Sequence, residues 1–203
     1  MGQAEPQPRT YTPDEYFALE RTSEVRHEYI DGEVFAMAGA SIPHNLIKGN
    51  LIAALRAEAR KRGCRVLDEN VRLAVEEAEF YTYPDVLLTC EAADKRERYQ
   101  VRFPVLIAEV LSPGTADYDR TEKFSRYQKI PTLQHYLLLS QSSWTVEWFW
   151  RNEAGQWVYT LLNNPAATLT IPGLGLQLPL AELYEDTDVA PLRPTTPAAA
   201  EEP

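Results

Sequence analysis

The stretch 104–111, Pro-Val-Leu-Ile-Ala-Glu-Val-Leu, is apolar at every position except Glu109. A strand that shows one face to water alternates polar and apolar residues; this one does not. It predicts a central strand buried on both faces, in an α/β domain whose mixed sheet is flanked by helices. Ser112-Pro113-Gly114 ends it. The rest of the chain agrees. Thr12-Pro13-Asp14-Glu15 is a helix start: a capping Thr, Pro in the first turn, then acids at the positive end of the dipole. Asp31-Gly32 between the β-prone runs 26–30 and 33–37 predicts a two-residue hairpin. A long helix over 41–62 stops at Gly63. Short strands follow at 64–67, 71–75 and 84–89, and 91–103 reads as a charged loop. A helix over 119–129 ends before Pro131. Strands at 134–139, 145–150 and 157–161, a strand pair within 169–178 and a helical turn at 180–183 complete the domain. Its expected limits are 11–188, after a flexible lead at 1–10 and before a disordered Pro/Ala/Glu-rich tail at 189–203.

A length of 203 residues suits one such domain. The apolar runs are too short to span a bilayer, and residues 1–9 lack the apolar core of a secretory signal. A cytoplasmic protein with no membrane contact is expected. Cys64 and Cys90 form no CxxC pair and read as small buried thiols in a reducing compartment. The net charge of −10 argues against sequence-blind attraction to nucleic acid. Carboxylates of a metal site also count as negative until their cation arrives. His27, His44 and His135 lack zinc spacing, and no phosphate-cradling glycine motif is present.

Four residues carry candidate chemistry. Glu109 is an ionisable group near the end of a buried strand, where burial costs several kcal/mol unless the group is paired or binds a metal. The plain alternative is an ion pair with Arg or Lys. Asp85 follows Pro84 and opens the apolar run 86–88; it could equally accept backbone hydrogen bonds. Lys123 shares a helix face with Asp119 and Tyr127, at i, i+4 and i+8, and could be half of a surface ion pair. Glu33 follows the Asp-Gly turn and could be an ordinary solvent-facing Glu. Together, carboxylates and a lysine near strand ends suit a hard cation such as Mg²⁺ or Mn²⁺, and phosphodiester hydrolysis by activated water.

The order Asp-Gly-Glu (31–33), His44 with its following helix, Tyr-Pro-Asp-Val (83–86), Ala-Glu-Val-Leu-Ser-Pro-Gly-Thr (108–115) and Asp-Tyr-Asp-Arg with Lys123 and Tyr127 (117–127) resembles the Uma-two family of restriction-endonuclease-like proteins, in the PD-(D/E)xK nuclease superfamily. The resemblance covers about residues 10–185. It implies a restriction-endonuclease-like fold and a metal held by Asp85, Glu109 and the Val110 carbonyl. Glu33 would be the upstream acid. The superfamily motif has Lys two residues after the acid; this chain has Leu111, and Lys123 on the next helix is the candidate replacement. Asp119, Tyr127, His44 and Ser112 are supporting or substrate-binding candidates, Tyr127 as a phosphate contact.

Trp144, Trp148, Trp150 and Trp157 crowd one hairpin and read as core or a homodimer face rather than a base-stacking platform. If DNA binds, the phosphate contacts are expected among Arg56, Arg60, Lys61, Arg62, Arg65, Lys95, Arg96, Arg98 and Arg102, and on the Arg120/Arg126/Lys129 helix. Three functions follow: a metal-dependent endonuclease acting on DNA, a nuclease fold that binds nucleic acid or a protein partner without cutting, or a metal-dependent hydrolase of some other phosphoester.

Overall fold

Local chemistry sets the first elements of the computed structural model, which describes residues 9–76 and 79–192. Helix α1 (Pro13–Thr22) opens with a capping box: Thr12 Oγ1 accepts from the Glu15 N–H, and the Glu15 carboxylate accepts from the Thr12 N–H. Strands β1 (His27–Ile30) and β2 (Glu33–Ala36) are joined by Asp31 and Gly32 at φ 49° and 92°, the paired positive values that a tight hairpin turn needs. Ser41 caps α2 (Ile42–Lys61) by accepting from the His44 N–H.

The remaining strands are β3 (Arg65–Asp68), β4 (Arg72–Glu76), β5 (Phe80–Thr82), β6 (Val86–Thr89), β7 (Gln100–Val101), β8 (Pro104–Leu111), β9 (His135–Ser140), β10 (Val146–Arg151), β11 (Trp157–Leu162), β12 (Thr168–Ile171) and β13 (Leu176–Pro179). The central sheet runs β11-β10-β9-β8-β6-β3. All its pairings are antiparallel except β8 with β9. A second sheet, β2-β1-β5-β4-β7, and the β12–β13 hairpin complete the layers. The chain is thus mixed α/β. Residues 80–82 and 100–101 add strands too short for their own pattern to announce: 80–82 pairs with β4 just before it and with the distant β1, and 100–101 pairs with the distant β4.

Strand β8 is buried along its length apart from Val105, as its composition predicts. Leu106, Ala108 and Val110 face a core shared with α2, the β12–β13 hairpin and helix α5 (Leu180–Leu183). Ile107 and Leu111 face the other core, with Tyr127, Tyr136 and residues of the second sheet. Between β8 and β9 the chain forms α3 (Ala116–Tyr118), a π-helical turn at Asp119–Lys123, and α4 (Phe124–Tyr127). Here Asp119 and Lys123 are buried while Arg120, Thr121 and Glu122 face outward.

Two expectations are corrected. Cys64 and Cys90 are not free thiols; they form a disulfide across the edge of the central sheet. Arg65 pairs with Thr89 in the β3–β6 ladder, so the next position along brings the two cysteines face to face. The argument for a reducing compartment loses that support. The start of the presumed tail is also held in place: the Val189 carbonyl accepts from Trp144 Nε1 at 2.6 Å, and the Ala190 carbonyl from the Trp144 N–H at 3.3 Å. The rest of that tail, 193–203, and residues 1–8 of the lead lie outside the described residues.

The tryptophans are used internally. Trp144 stacks on Tyr184, Trp148 packs against the α2-side core, and Trp157 meets Phe124 edge-on. Trp148 Nε1 also donates to His135 Nδ1 at 3.4 Å. Burial pushes the His135 imidazole down from its ordinary 6.5 to about 4. The unfolded chain therefore takes up a proton that the folded one refuses as pH falls through this window, and stability drops with it. The loss expected from this group is about 3 kcal/mol at most. A His135→Gln variant should lack that slope between pH 6.5 and 4; equal slopes in thermal or urea unfolding would refute the assignment.

Candidate active site

Asp85 sits just before β6, and Glu109 lies opposite on the neighbouring strand β8. Ala108 pairs with Val86, which sets the two acids side by side. Each carboxylate is held by the backbone of the other's strand. The Asp85 N–H donates to Glu109 Oε2 at 3.2 Å, and the Val110 N–H donates to Asp85 Oδ2 at 2.7 Å. Both acids line a cavity of about 370 Å³, together with His44, Val110, Ser112, Asp119 and Lys123.

Period-two alternation turns Glu109 away from α2 and toward the π-helical turn. There Lys123 Nζ lies 3.2 Å from Glu109 Oε1, 3.1 Å from Glu28 Oε1 and 3.3 Å from Asp119 Oδ1. Burial alone would lower the Lys123 ammonium, but the Glu109 and Glu28 carboxylates outweigh it and hold it well above the lysine range. Three carboxylates gather around this one buried ammonium. Burial, opposed by Lys123, pushes Glu109 up to about 8, and burial also raises Asp119. The cluster carries more negative charge than its own cation neutralises.

Asp119 and Lys123 join Glu109 as their shared helix face predicts. Tyr127 joins them differently from the expectation: it is fully buried and donates its hydroxyl to Glu109 Oε1 at 3.0 Å, so it braces the acid and cannot reach a phosphate. His44, at the start of α2, turns into the cavity with Nε2 2.9 Å from Asp85 Oδ1. Ser112 lines the cavity and its hydroxyl bonds to Thr115 Oγ1 at 2.9 Å. Glu33 stands apart. It is exposed on β2, opposite Ile30, and lines an adjoining cavity; the acid that touches Lys123 is Glu28. Glu28 and Glu33 share one sheet face, so the face was readable and the residue was not.

Further cavity residues had no signal in the sequence. Lys48 is buried and pairs with Glu69 at 2.7 Å. Gln141 accepts from Ser41 Oγ at 2.5 Å and donates to the Leu111 carbonyl at 2.8 Å, closing the end of β8. Each joins the cavity only through contacts far apart in sequence. The basic helix proposed for phosphate binding is already engaged: Arg120 pairs with Glu147 at 2.6 Å, Arg126 with Asp31 at 2.5 Å and Lys129 with Glu76 at 2.7 Å.

The donors fit a hard divalent cation. Asp85 and Glu109 supply carboxylate oxygens, and Glu69 Oε2, in the same cavity, is buried with no hydrogen-bond partner. No three Asp, Glu, His or Cys side chains among the described residues already form a cage. An ion here would rely on two carboxylates, backbone and water, the coordination Mg²⁺ favours.

Residues 13–181 match the model of the Uma2 family, described as "Putative restriction endonuclease". The chain is 33% identical to the uncharacterized protein slr1290 of Synechocystis sp. over 174 residues, 85% of this chain and 90% of that one. It is 38% identical to sll1609 of the same organism over 160 residues, 78% of this chain and 90% of the relative. Its fold is similar to a crystal structure described as a putative nuclease belonging to DUF820 from Anabaena variabilis, with a TM-score of 0.71 at 21% identity over 85% of this chain and 97% of that one. Fold and sequence agree: the chain is a restriction-endonuclease-like α/β protein and belongs to the Uma2 family.

Proposed function

We propose that the chain is a divalent-metal-dependent endonuclease that hydrolyses phosphodiester bonds, with DNA as the expected substrate. The observation that carries this reading is the Asp85–Glu109 pair, clasped by the backbones of adjoining strands and opening on one cavity with Lys123 behind it. Mg²⁺ or Mn²⁺ held by Asp85, Glu109 and the Val110 carbonyl would polarise a phosphate and acidify a bound water.

The chain's own residues supply the rest. Lys123 offsets negative charge beside Glu109, where a phosphorane would add more. Tyr127 and the Asp85 N–H fix both oxygens of Glu109, so the carboxylate is oriented before anything binds. His44 holds Asp85 Oδ1 at the cavity wall. Asp119 pairs with Lys123 and keeps its ammonium in place.

A second reading, a nuclease fold that binds nucleic acid or a protein partner without cutting, draws on the lack of a ready side-chain cage among the described residues. Calorimetry decides between them. Mg²⁺ or Mn²⁺ should bind the wild type, and binding should disappear in Asp85→Ala and Glu109→Ala. A folded wild type that takes up neither ion at millimolar concentration, with DNA present, would leave only the non-cutting reading.

A further inference from the structure

The catalytic cavity has unlike neighbours. On one side it shares Glu28 and Thr115 with a cavity of about 660 Å³ whose wall includes Asp31, Glu33 and Glu122. That side is lined by acids and by no lysine or arginine. On the other side Tyr83, two residues before Asp85, lines both the catalytic cavity and a groove of about 540 Å³. This groove is walled by Arg21, Arg26 and Arg72 with Phe17 and Tyr99. Its one acid, Glu20, is buried and already bonded to the Tyr83 hydroxyl at 2.6 Å and to the His27 ring at 2.9 Å.

The groove's cations are short of ionic partners, although Arg72 also reaches Gln100 Oε1 at 3.5 Å and lies 5.7 Å over the Tyr81 ring. Among the described residues no carboxylate pairs with Arg21 or Arg72, and Arg26 meets Glu20 only at 3.9 Å. Arg72 lies 4.6 Å over the Phe17 ring, with its Nε buried and without a hydrogen-bond partner. Tyr99 is 72% exposed, an aromatic face open to solvent. In a chain of net charge −10, three guanidinium groups facing one buried acid stand directly beside the acidic centre.

We propose that this groove is the substrate track, and that it takes a single-stranded nucleic acid running past Tyr83 into the catalytic cavity. The inference rests on the phosphodiesterase reading and names its substrate class. Arginines spaced along a groove track phosphates, and an exposed ring stacks an unpaired base. Bases inside a duplex keep their faces buried in the stack and cannot use Tyr99, so the aromatic wall selects the single strand.

The test is fluorescence anisotropy of the full chain with labelled oligothymidylate and with a duplex of equal length, in chelator so that nothing is cut. Single strand should bind more tightly than duplex. Tyr99→Ala should weaken it roughly tenfold, the loss expected for one base–ring stack. The double variant Arg21→Ala, Arg26→Ala should also lower the slope of log affinity against log salt by about 1.4, the single-strand value for two phosphates. All three positions are on the surface, and unchanged thermal midpoints would show the fold intact. Wild-type affinity in these variants overturns the groove, as does tighter duplex binding or displacement of the strand by polyglutamate at equal charge. The two readings fail separately. Strand binding that depends on the groove, with no cleavage in Mg²⁺ or Mn²⁺, sinks the nuclease and keeps the track; cleavage indifferent to the groove does the reverse.

Discussion

Glu109→Gln is expected to lower DNA cleavage by at least about 10³-fold while leaving the metal-free protein folded. The two effects separate because they draw on different properties of one side chain. Catalysis needs the carboxylate charge, which an amide lacks. Stability does not. Burial pushes the Glu109 pKa from 4.5 to about 8, so the metal-free fold prefers its neutral form, which glutamine matches in charge, at the cost of an NH2 group facing one of the donors that Glu109 accepts from. Between these values the native state holds a proton that the unfolded chain has released. Metal-free stability should therefore fall as pH rises across that window, and the slope should be smaller in the variant. Asp85→Ala should abolish cleavage to the same degree. Cleavage measured with purified variants, and urea unfolding in chelator from pH 5 to 9, check both halves. Retained cleavage in Glu109→Gln removes this residue from the catalytic centre.

Lys123→Met is expected to be the most destabilising change at the site, by about 3–5 kcal/mol. The ammonium stands within 3.3 Å of Glu109 and Asp119, both buried, and of Glu28, half-buried at the cavity wall. Removing it leaves carboxylates buried against one another, which costs far more than losing a surface ion pair. Some of the loss should return in Lys123→Met, Glu28→Gln, because the second change removes one of the stranded charges. The two sites touch, so their effects should not add. Urea midpoints of the two single variants and the double variant form the needed cycle. A Lys123→Met protein as stable as the wild type would mean that the cluster is hydrated and the ion pairs are weak.

How much of this was readable in the chain depends on the range of the interactions involved. The stretch 104–111 announced a central strand because a two-sided burial requirement is written into its composition. The Asp-Gly turn, the α1 cap and the α2 boundaries were legible because each is decided by neighbours a few residues apart. Asp85, Glu109 and Lys123 stood out as ionisable groups placed where burial is costly, and they do share one cavity. The short strands β5 and β7 were not legible, since two or three residues hold a strand conformation only when distant partners supply the hydrogen bonds.

The sequence by itself therefore determined most of the elements, the central strand, the family and the kinds of chemical groups available. The tertiary structure decided which of those groups meet. The register of β6 on β8 sets Asp85 beside Glu109, and the register of β3 on β6 joins Cys64 to Cys90. The placement of β1 brings Glu28 rather than Glu33 to Lys123, and the start of α2 swings His44 onto Asp85. Periodicity tells which face a side chain occupies. Contact across strands depends on long-range register, set by the packing of whole layers, and no local pattern encodes it.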